Sequence, residues 1–237
     1  MSHPILASMG ARASGGGAPS LADLSPHVWV RGSGITAASG DVASITDEGS
    51  LGLTFEAASA GQRPEVVTVG SLTGWQFDGT EYLRSTAAAD FSLPFVASVV
   101  YRVDSLTAND RIFNIGTYSY LASVSTDELR MEHAGGDLYA LTTVAVNDIV
   151  GVICHWAPTG ETSGLYVDSA SPEVTRAGNN TIEPGSLAIG LGATNAGVAP
   201  AACTILDFAV FDGITSGTFD FAALAAYQAA MVALASV

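Results

Sequence analysis

The chain has 237 residues, 48% of them hydrophobic, which is ample for one sizeable folded domain. Its 8 basic residues are all arginine, scattered among 23 acidic ones, for a formal net charge of -15. Such a surface repels phosphate backbones, so no nucleic-acid partner is expected. With no lysine in the chain, small polar side chains must cover much of the exterior, as in a protein packed among other subunits or one from a high-GC genome.

Residues 1–19 are mostly Ala, Ser and Gly, with Gly15-Gly16-Gly17 at their centre. Little there repays the entropy of ordering, so the segment reads as a flexible or subunit-binding arm, with Ile5, Leu6, Met9 and Arg12 as its attachment candidates. No basic region followed by a compact apolar run opens the chain, so a standard secretory signal is not expected. Residues 20–237 contain no fixed repeat and no charged or proline-rich linker, which predicts a single domain.

Ser20-Leu21-Ala22-Asp23 predicts a short helical turn capped by Ser20, closed by Pro26 and followed by an extended Val28-Trp29-Val30 with Trp29 as a core anchor. From Arg31 to Val69, Ile35, Val42, Ile45, Leu51, Leu53 and Phe55 are spaced by Gly, Ser and Asp, which predicts short strands and long loops. Trp75 to Leu83 reads as two extended pieces joined at Asp78-Gly79. That dipeptide between alternating aromatic and polar residues predicts a hairpin with Trp75, Phe77 and Tyr82 or Leu83 turned inward.

Phe91 to Val103 is the clearest long strand: Phe95, Ala97, Val99, Tyr101 and Val103 share one face, Ser98 and Arg102 the other. Ile112 to Ile115 is predicted as its neighbour. Tyr118–Val124, Glu128–Glu132 and Leu138–Val144 follow as shorter strands. Ile149 to Trp156 is apolar on both faces, as a central strand between two layers would be. Leu165 to Asp168, Leu187 to Leu191 and Thr204 to Phe211 complete the sheet, with Asp212-Gly213 turning out.

Asp220 can cap a last helix to about Leu234, whose Leu224, Tyr227, Met231 and Leu234 make one apolar stripe. Interrupted by Asp220 and Gln228, this stretch reads as a docked helix and not a membrane span. Cys154 and Cys203 fall in different strands, where separate buried thiols are favoured over a bridge.

Leu24-Ser25-Pro26-His27-Val28-Trp29, then Arg63-Pro64, then Phe77-Asp78-Gly79-Thr80-Glu81-Tyr82-Leu83 resembles the concanavalin A-like, laminin-G-like jelly-roll domains of bacterial surface and phage structural proteins. Phe95–Tyr101, Phe113–Gly116, Leu165-Tyr166-Val167-Asp168 and Leu206–Phe211 before a helix containing Tyr227 follow the same order. The resemblance implies an all-β antiparallel jelly-roll sandwich with a short N-terminal helical turn and a packed C-terminal helix. Where that family often carries Trp-x-Asp-x-Ser-Gly-Asn-Gly, this chain has Ile45-Thr46-Asp47-Glu48-Gly49-Ser50. The family includes carbohydrate binders, enzymes and scaffolds, so fold alone does not choose among them.

The residues argue against most chemistry. No Glu-x-Asp-x-x-Glu run places acids on one strand face for glycoside hydrolysis; Glu128, Arg130 and Glu132 share a face and read as a salt-linked row. His3, His27, His133 and His155 are scattered, and Cys154 and His155 point to opposite faces, so neither a metal cluster nor a nucleophile-base pair is predicted. Calcium is the one cofactor with a foothold, through Asp47 and Glu48, although the twelve-position loop spacing is missing. No glycine-rich segment has phosphate-loop spacing.

For a sugar, the aromatic candidates are Tyr118, Tyr120, Tyr139 and Trp156, and the polar loop candidates are Asn109, Asp110, Asn179 and Asn180. The leading expectation is a non-enzymatic structural protein of a tailed-phage virion, partnered by copies of itself and other virion proteins. The alternative is an adhesion module for host-surface polysaccharide, and a glycoside hydrolase stands third.

Overall fold

In a computed structural model of the protein, the described residues are 21–107, 109–116, 119–123, 128–133, 136–140, 143–178, 187–194, 196–214 and 217–237, with the side chains of residues 133, 136 and 139 also outside the description. Along the chain come β1 (Val28–Arg31), β2 (Ile35–Ala38), β3 (Asp41–Thr46), β4 (Thr54–Glu56), β5 (Glu65–Val69), β6 (Leu72–Asp78), β7 (Leu83–Ser85) and β8 (Phe95–Val103). They are followed by β9 (Arg111–Ile115), β10 (Ser119–Ser123), β11 (Leu129–His133), β12 (Gly136–Tyr139), β13 (Ile149–Trp156), β14 (Thr162–Val167), β15 (Val174–Ala177), β16 (Ile189–Leu191), β17 (Ala202–Phe211) and the single described α-helix, α1 (Phe221–Ala235).

The strands form two antiparallel layers. In the first, β5, β6, β17, β8, β13, β14 and β15 lie side by side. A register shift between Ile205 and Asp207 divides β17: its first half pairs with β6, its second half with β1. The second layer runs β2, β3, β4, β7, β16, β9, β10, β11, β12. A bridge from Asp41 to Glu65 joins the layers at one edge, so the sheet nearly closes into a barrel.

Alternation decides what enters the core. Across the second layer, Leu83, Leu191, Phe113, Leu121, Met131 and Leu138 form one inward row in direct register. Opposite it, Trp75, Ile205, Tyr101 and Val150 form another. Aromatic rings join the layers: Phe113 lies 5.1 Å from Phe208 and meets Trp156 edge-on at 6.3 Å, while Phe95 stacks on Trp156 within the first layer at 4.8 Å. Cys154 and Cys203 are free thiols within this core.

The outward face of the first layer carries a second apolar set, including Val96, Val100, Ile153, Leu206 and Phe211, and α1 covers it. Asp220 caps the helix, accepting a hydrogen bond from the Ala223 amide at 2.8 Å. No described helix is long and apolar enough to cross a membrane.

Three local expectations change. Asp78-Gly79 turns, with Gly79 at φ +93°, but does not close a hairpin: β6 pairs with β5 and β17 while β7 pairs with β16 and β4, so the turn carries the chain from one layer to the other. Trp75, Phe77, Tyr82 and Leu83 are all buried as expected. Likewise β9 is not a neighbour of β8, whose partners are β13 and β17; burying two adjacent apolar strands sends them to opposite layers. The first turn, Ala22–Leu24, is 3-10 in form with Leu21 at its cap position and no side-chain cap; Ser20 lies outside the described residues.

Candidate functional site

The outward face of the second layer is polar by the same alternation that makes its inward face apolar. Reading straight across the strands, Glu56, Arg84, Gly190, Asn114, Tyr120, Glu132 and Asp137 are consecutive register partners. The helix packs on β13, β6 and β8 of the other layer, and no described helix lies on this face. The Gly190 and Asn114 positions at the centre are buried, whereas Glu56 and Arg84 at one end are exposed. At that end an open cleft of about 550 Å³ is lined by Glu56, Arg84, Ser85, Thr86 and Ala188 among others.

At the other end stands a charged cluster built around Tyr120. Its hydroxyl accepts a hydrogen bond from Arg130 Nη2 at 2.8 Å and donates to the Glu132 carboxylate. A register shift between Leu121 and Ala122 places Arg111 opposite Ala122, on the Tyr120 side, and its guanidinium carbon sits 3.7 Å above the Tyr120 ring. The Arg130 guanidinium carbon is 5.4 Å from the same ring. Arg130 reaches Glu132 at 3.8 Å and Asp137 at 3.9 Å, both long for an ion pair, and its buried Nε has no hydrogen-bond partner among the described residues.

Electrostatics follow from that crowding. Desolvation pushes the Glu132 carboxyl above its ordinary range, the Asp137 charge adds to this, and Arg111 partly offsets it. Desolvation lowers Arg111; Glu132 opposes the shift and Arg130 reinforces it. The cluster thus gathers two guanidiniums and two carboxylates around one phenol, with Arg111 held by the ring and Arg130 by the hydroxyl.

The sequence-predicted residues fall unevenly. Tyr120 belongs to this site, but it is buried beneath Arg111, so it acts through its hydroxyl and offers no open ring for stacking. Trp156 is a core residue with no exposed surface, stacked on Phe95 and donating from Nε1 to the Glu132 carbonyl at 3.0 Å. Tyr139 stands opposite Arg130 in register. Asn109 is an exposed turn residue at φ +68° beside Asp110, whose carboxyl burial raises and a Thr107 hydrogen bond lowers. Tyr118, Asn179, Asn180, Ile5, Leu6, Met9 and Arg12 lie outside the described residues.

Asp47 is committed to the backbone. Buried to 4% exposure, it accepts from the amides of Trp29 at 2.5 Å, Gly49 at 2.6 Å and Leu53 at 3.1 Å. Glu48 accepts from the Ser33 hydroxyl. A calcium ion would have to compete with three main-chain donors for Asp47. Among the described residues, no three His, Cys, Asp or Glu side chains are grouped closely enough to hold a metal ion.

Sequence reasoning found Arg130 and Glu132 by parity but missed Arg111 and Arg84. Arg111 reaches this face only through the strand irregularity, and Arg84 enters the row only through pairing with distant strands.

Two other polar sites lie on the helix side. A cleft of about 420 Å³ opens beside the start of α1, lined by His155, Glu161, Tyr166, Thr175 and Phe221 among others. Its rings engage each other, Tyr166 stacking on Phe221 at 5.0 Å and His155 meeting Phe221 edge-on at 5.4 Å. Burial lowers His155 to about 4, against a smaller upward pull from Glu161. Deeper, the fully buried Asp207 accepts from Trp29 Nε1 at 3.0 Å and from the Tyr227 hydroxyl at 2.7 Å. Desolvation pushes Asp207 up to about 6 despite those two donors.

No family model matches the chain, and no curated protein matches it by sequence. Solved structures do share its fold. The receptor-binding domain of botulinum neurotoxin type G superimposes with a TM-score of 0.60 at 10% identity, over 86% of this chain and 51% of that one. An arabinofuranosidase complexed with arabinofuranosyl-α-1,2-xylobiose gives 0.59 at 13% identity, over 82% and 51%. The Trypanosoma rangeli sialidase in complex with sialic acid gives 0.57 at 10% identity, over 95% and 35%. The chain thus spans about half or less of each of these proteins, and what it shares with them is a lectin-like jelly-roll β-sandwich.

Proposed function

We propose that this chain is a glycan-binding module and that the outward face of its second layer is the binding surface. The observation that carries the reading is the cross-strand row from Glu56 to Asp137, polar throughout, with a glycine at its middle and no described helix over it. The accessible parts of the row are its two ends, Glu56 and Arg84 beside the 550 Å³ cleft and the Arg130, Glu132 and Asp137 group around Tyr120. Sugars need several convergent donors and acceptors, and the accessible ends of this face offer carboxylates and guanidiniums. Solved proteins of the same fold whose descriptions name a sugar ligand support the reading.

A broad set of immobilised polysaccharides tests it, with the full chain displayed multivalently so that weak sites register. Saturable binding is expected to weaken at least tenfold in Arg84→Ala and Arg130→Ala. Silence across the whole set contradicts the reading.

No hydrolytic step is assigned to the face. Glu132 and Asp137 are cross-strand partners, but Tyr120 and Arg130 already engage Glu132. Bound oligosaccharides are expected to be recovered intact after prolonged incubation; shorter products would turn the reading toward a glycoside hydrolase. A virion setting, expected from the sequence resemblance, would multiply such weak contacts through repeated copies. Cryo-electron microscopy of the native assembly checks that setting, and a solitary protein would remove it.

A further inference from the structure

We infer that the glycan taken by this face is acidic, with a sugar carboxylate seated between Arg111 and Arg130. The inference rests on the glycan-binding reading and deepens it to a ligand class. In a chain with 8 basic residues against 23 acidic ones, Arg84, Arg111 and Arg130 all stand on one sheet face. Two of them are held against the same phenol ring, at 3.7 Å and 5.4 Å from its centroid. Like charges gathered this way need a counter-ion.

The internal counter-ions serve poorly. Arg111 makes no close ion pair and no side-chain hydrogen bond among the described residues; its contact is the Tyr120 ring. Arg130 spends one nitrogen on Tyr120, approaches Glu132 and Asp137 at 3.8 and 3.9 Å, and leaves its buried Nε unused. Burial meanwhile disfavours the charge on Glu132. A planar carboxylate entering from the ligand can accept two parallel hydrogen bonds from the Arg111 guanidinium while lying close to the Arg130 charge, a pairing that neither Glu132 nor Asp137 makes with Arg111. The chain's net charge of -15 selects against polyphosphates and dense polyanions, so a sparsely charged oligosaccharide is the fitting partner.

Matched titrations of the full chain decide the point. The probes are 3′-sialyllactose against lactose and an aldotriouronic acid against xylotriose, each acid also as its methyl ester; the two pairs separate a nonulosonate from a hexuronate carboxylate. At least one acid is expected to bind tenfold or more tighter than both its ester and its neutral parent. Arg111→Gln and Arg130→Gln should each bring that acid down to the neutral level. Glu132→Gln, which keeps an acceptor for Tyr120 while removing the competing charge, should raise acid affinity several-fold. Equal binding of acid, ester and neutral sugar overturns the inference and leaves the glycan reading standing. A Glu132→Gln variant that unfolds at lower temperature and gains no acid affinity also overturns it, making the cluster a structural ion network. Binding of no sugar at all overturns both.

Discussion

The two layers present outward faces built on one rule and put to different use. On the first, Ser98, Asp207 and Trp29 point outward among apolar residues, and α1 answers them with Gln228 and Tyr227. On the second, Arg84, Tyr120, Arg130 and Glu132 point outward and meet one another or solvent. Strand alternation supplies polar side chains to both. The covering helix turns one set into a staple; the other set has no described α-helix over it.

Filling the notch under the helix should produce the largest effect. Gly151 leaves room for Gln228, and a Cβ there would lie 2.8 Å from the Gln228 Cβ. Gly151→Val is expected to cost about 3 kcal/mol by overpacking, read as a lower urea midpoint at unchanged slope. A midpoint equal to that of the parent protein would mean that the helix is not locked in place there.

Acidity should separate the faces next. Asp207 sits at about 6 in the folded protein and near 3.9 when unfolded. The folded state therefore holds the extra proton between these values, and stability falls as pH rises from about 4 to about 6, by on the order of 3 kcal/mol. His155 runs the other way. Lowered to about 4 from an unfolded value near 6.5, it loses a similar contribution as pH falls from about 6.5 to about 4. The opposed slopes should leave the parent protein nearly flat across this window. Asp207→Asn keeps an acceptor for Trp29 and Tyr227 and removes the charge, so it should gain stability at pH 7 and lose it on acidification. A melting profile that stays flat in this variant would show that the helix-side charges are not the ones titrating.

Smaller again is Tyr227→Phe, which takes from Asp207 one of its two donors. It should cost about 2 kcal/mol, as for a hydrogen bond to a buried charged group. The matching change on the second layer, Tyr120→Phe, should cost less, about 1 kcal/mol, because Arg130 and Glu132 are partly exposed whereas Asp207 is fully buried. Equal losses for the two variants in parallel thermal melts would erase the contrast between the faces.

Much of this was legible in the sequence because it depends on local alternation. The inward face of Phe95–Val103, the apolar Ile149–Trp156, the Asp220 cap and the shared face of Arg130 and Glu132 all follow from spacing alone. What escaped depends on distant partners. The Asp78-Gly79 turn is evident, but whether it joins two neighbours or two layers is decided by β17 and β16 far along the chain. Gln228 looked like an interruption of an apolar helix, since only the folded sheet puts Ser98 and the Val152 carbonyl within its reach. Arg111 falls on the Tyr120 face through a strand irregularity that no alternation pattern contains.

Hydrogen-deuterium exchange of the full chain tests the central contrast most directly, with and without saturating 3′-sialyllactose or aldotriouronic acid, whichever titrates. Slowed exchange is predicted in Ser119–Ser123 and Leu129–His133 with Phe221–Ala235 unchanged. Slowing confined to Phe221–Ala235 and its underlying strands would contradict the account and move the ligand to the helix side.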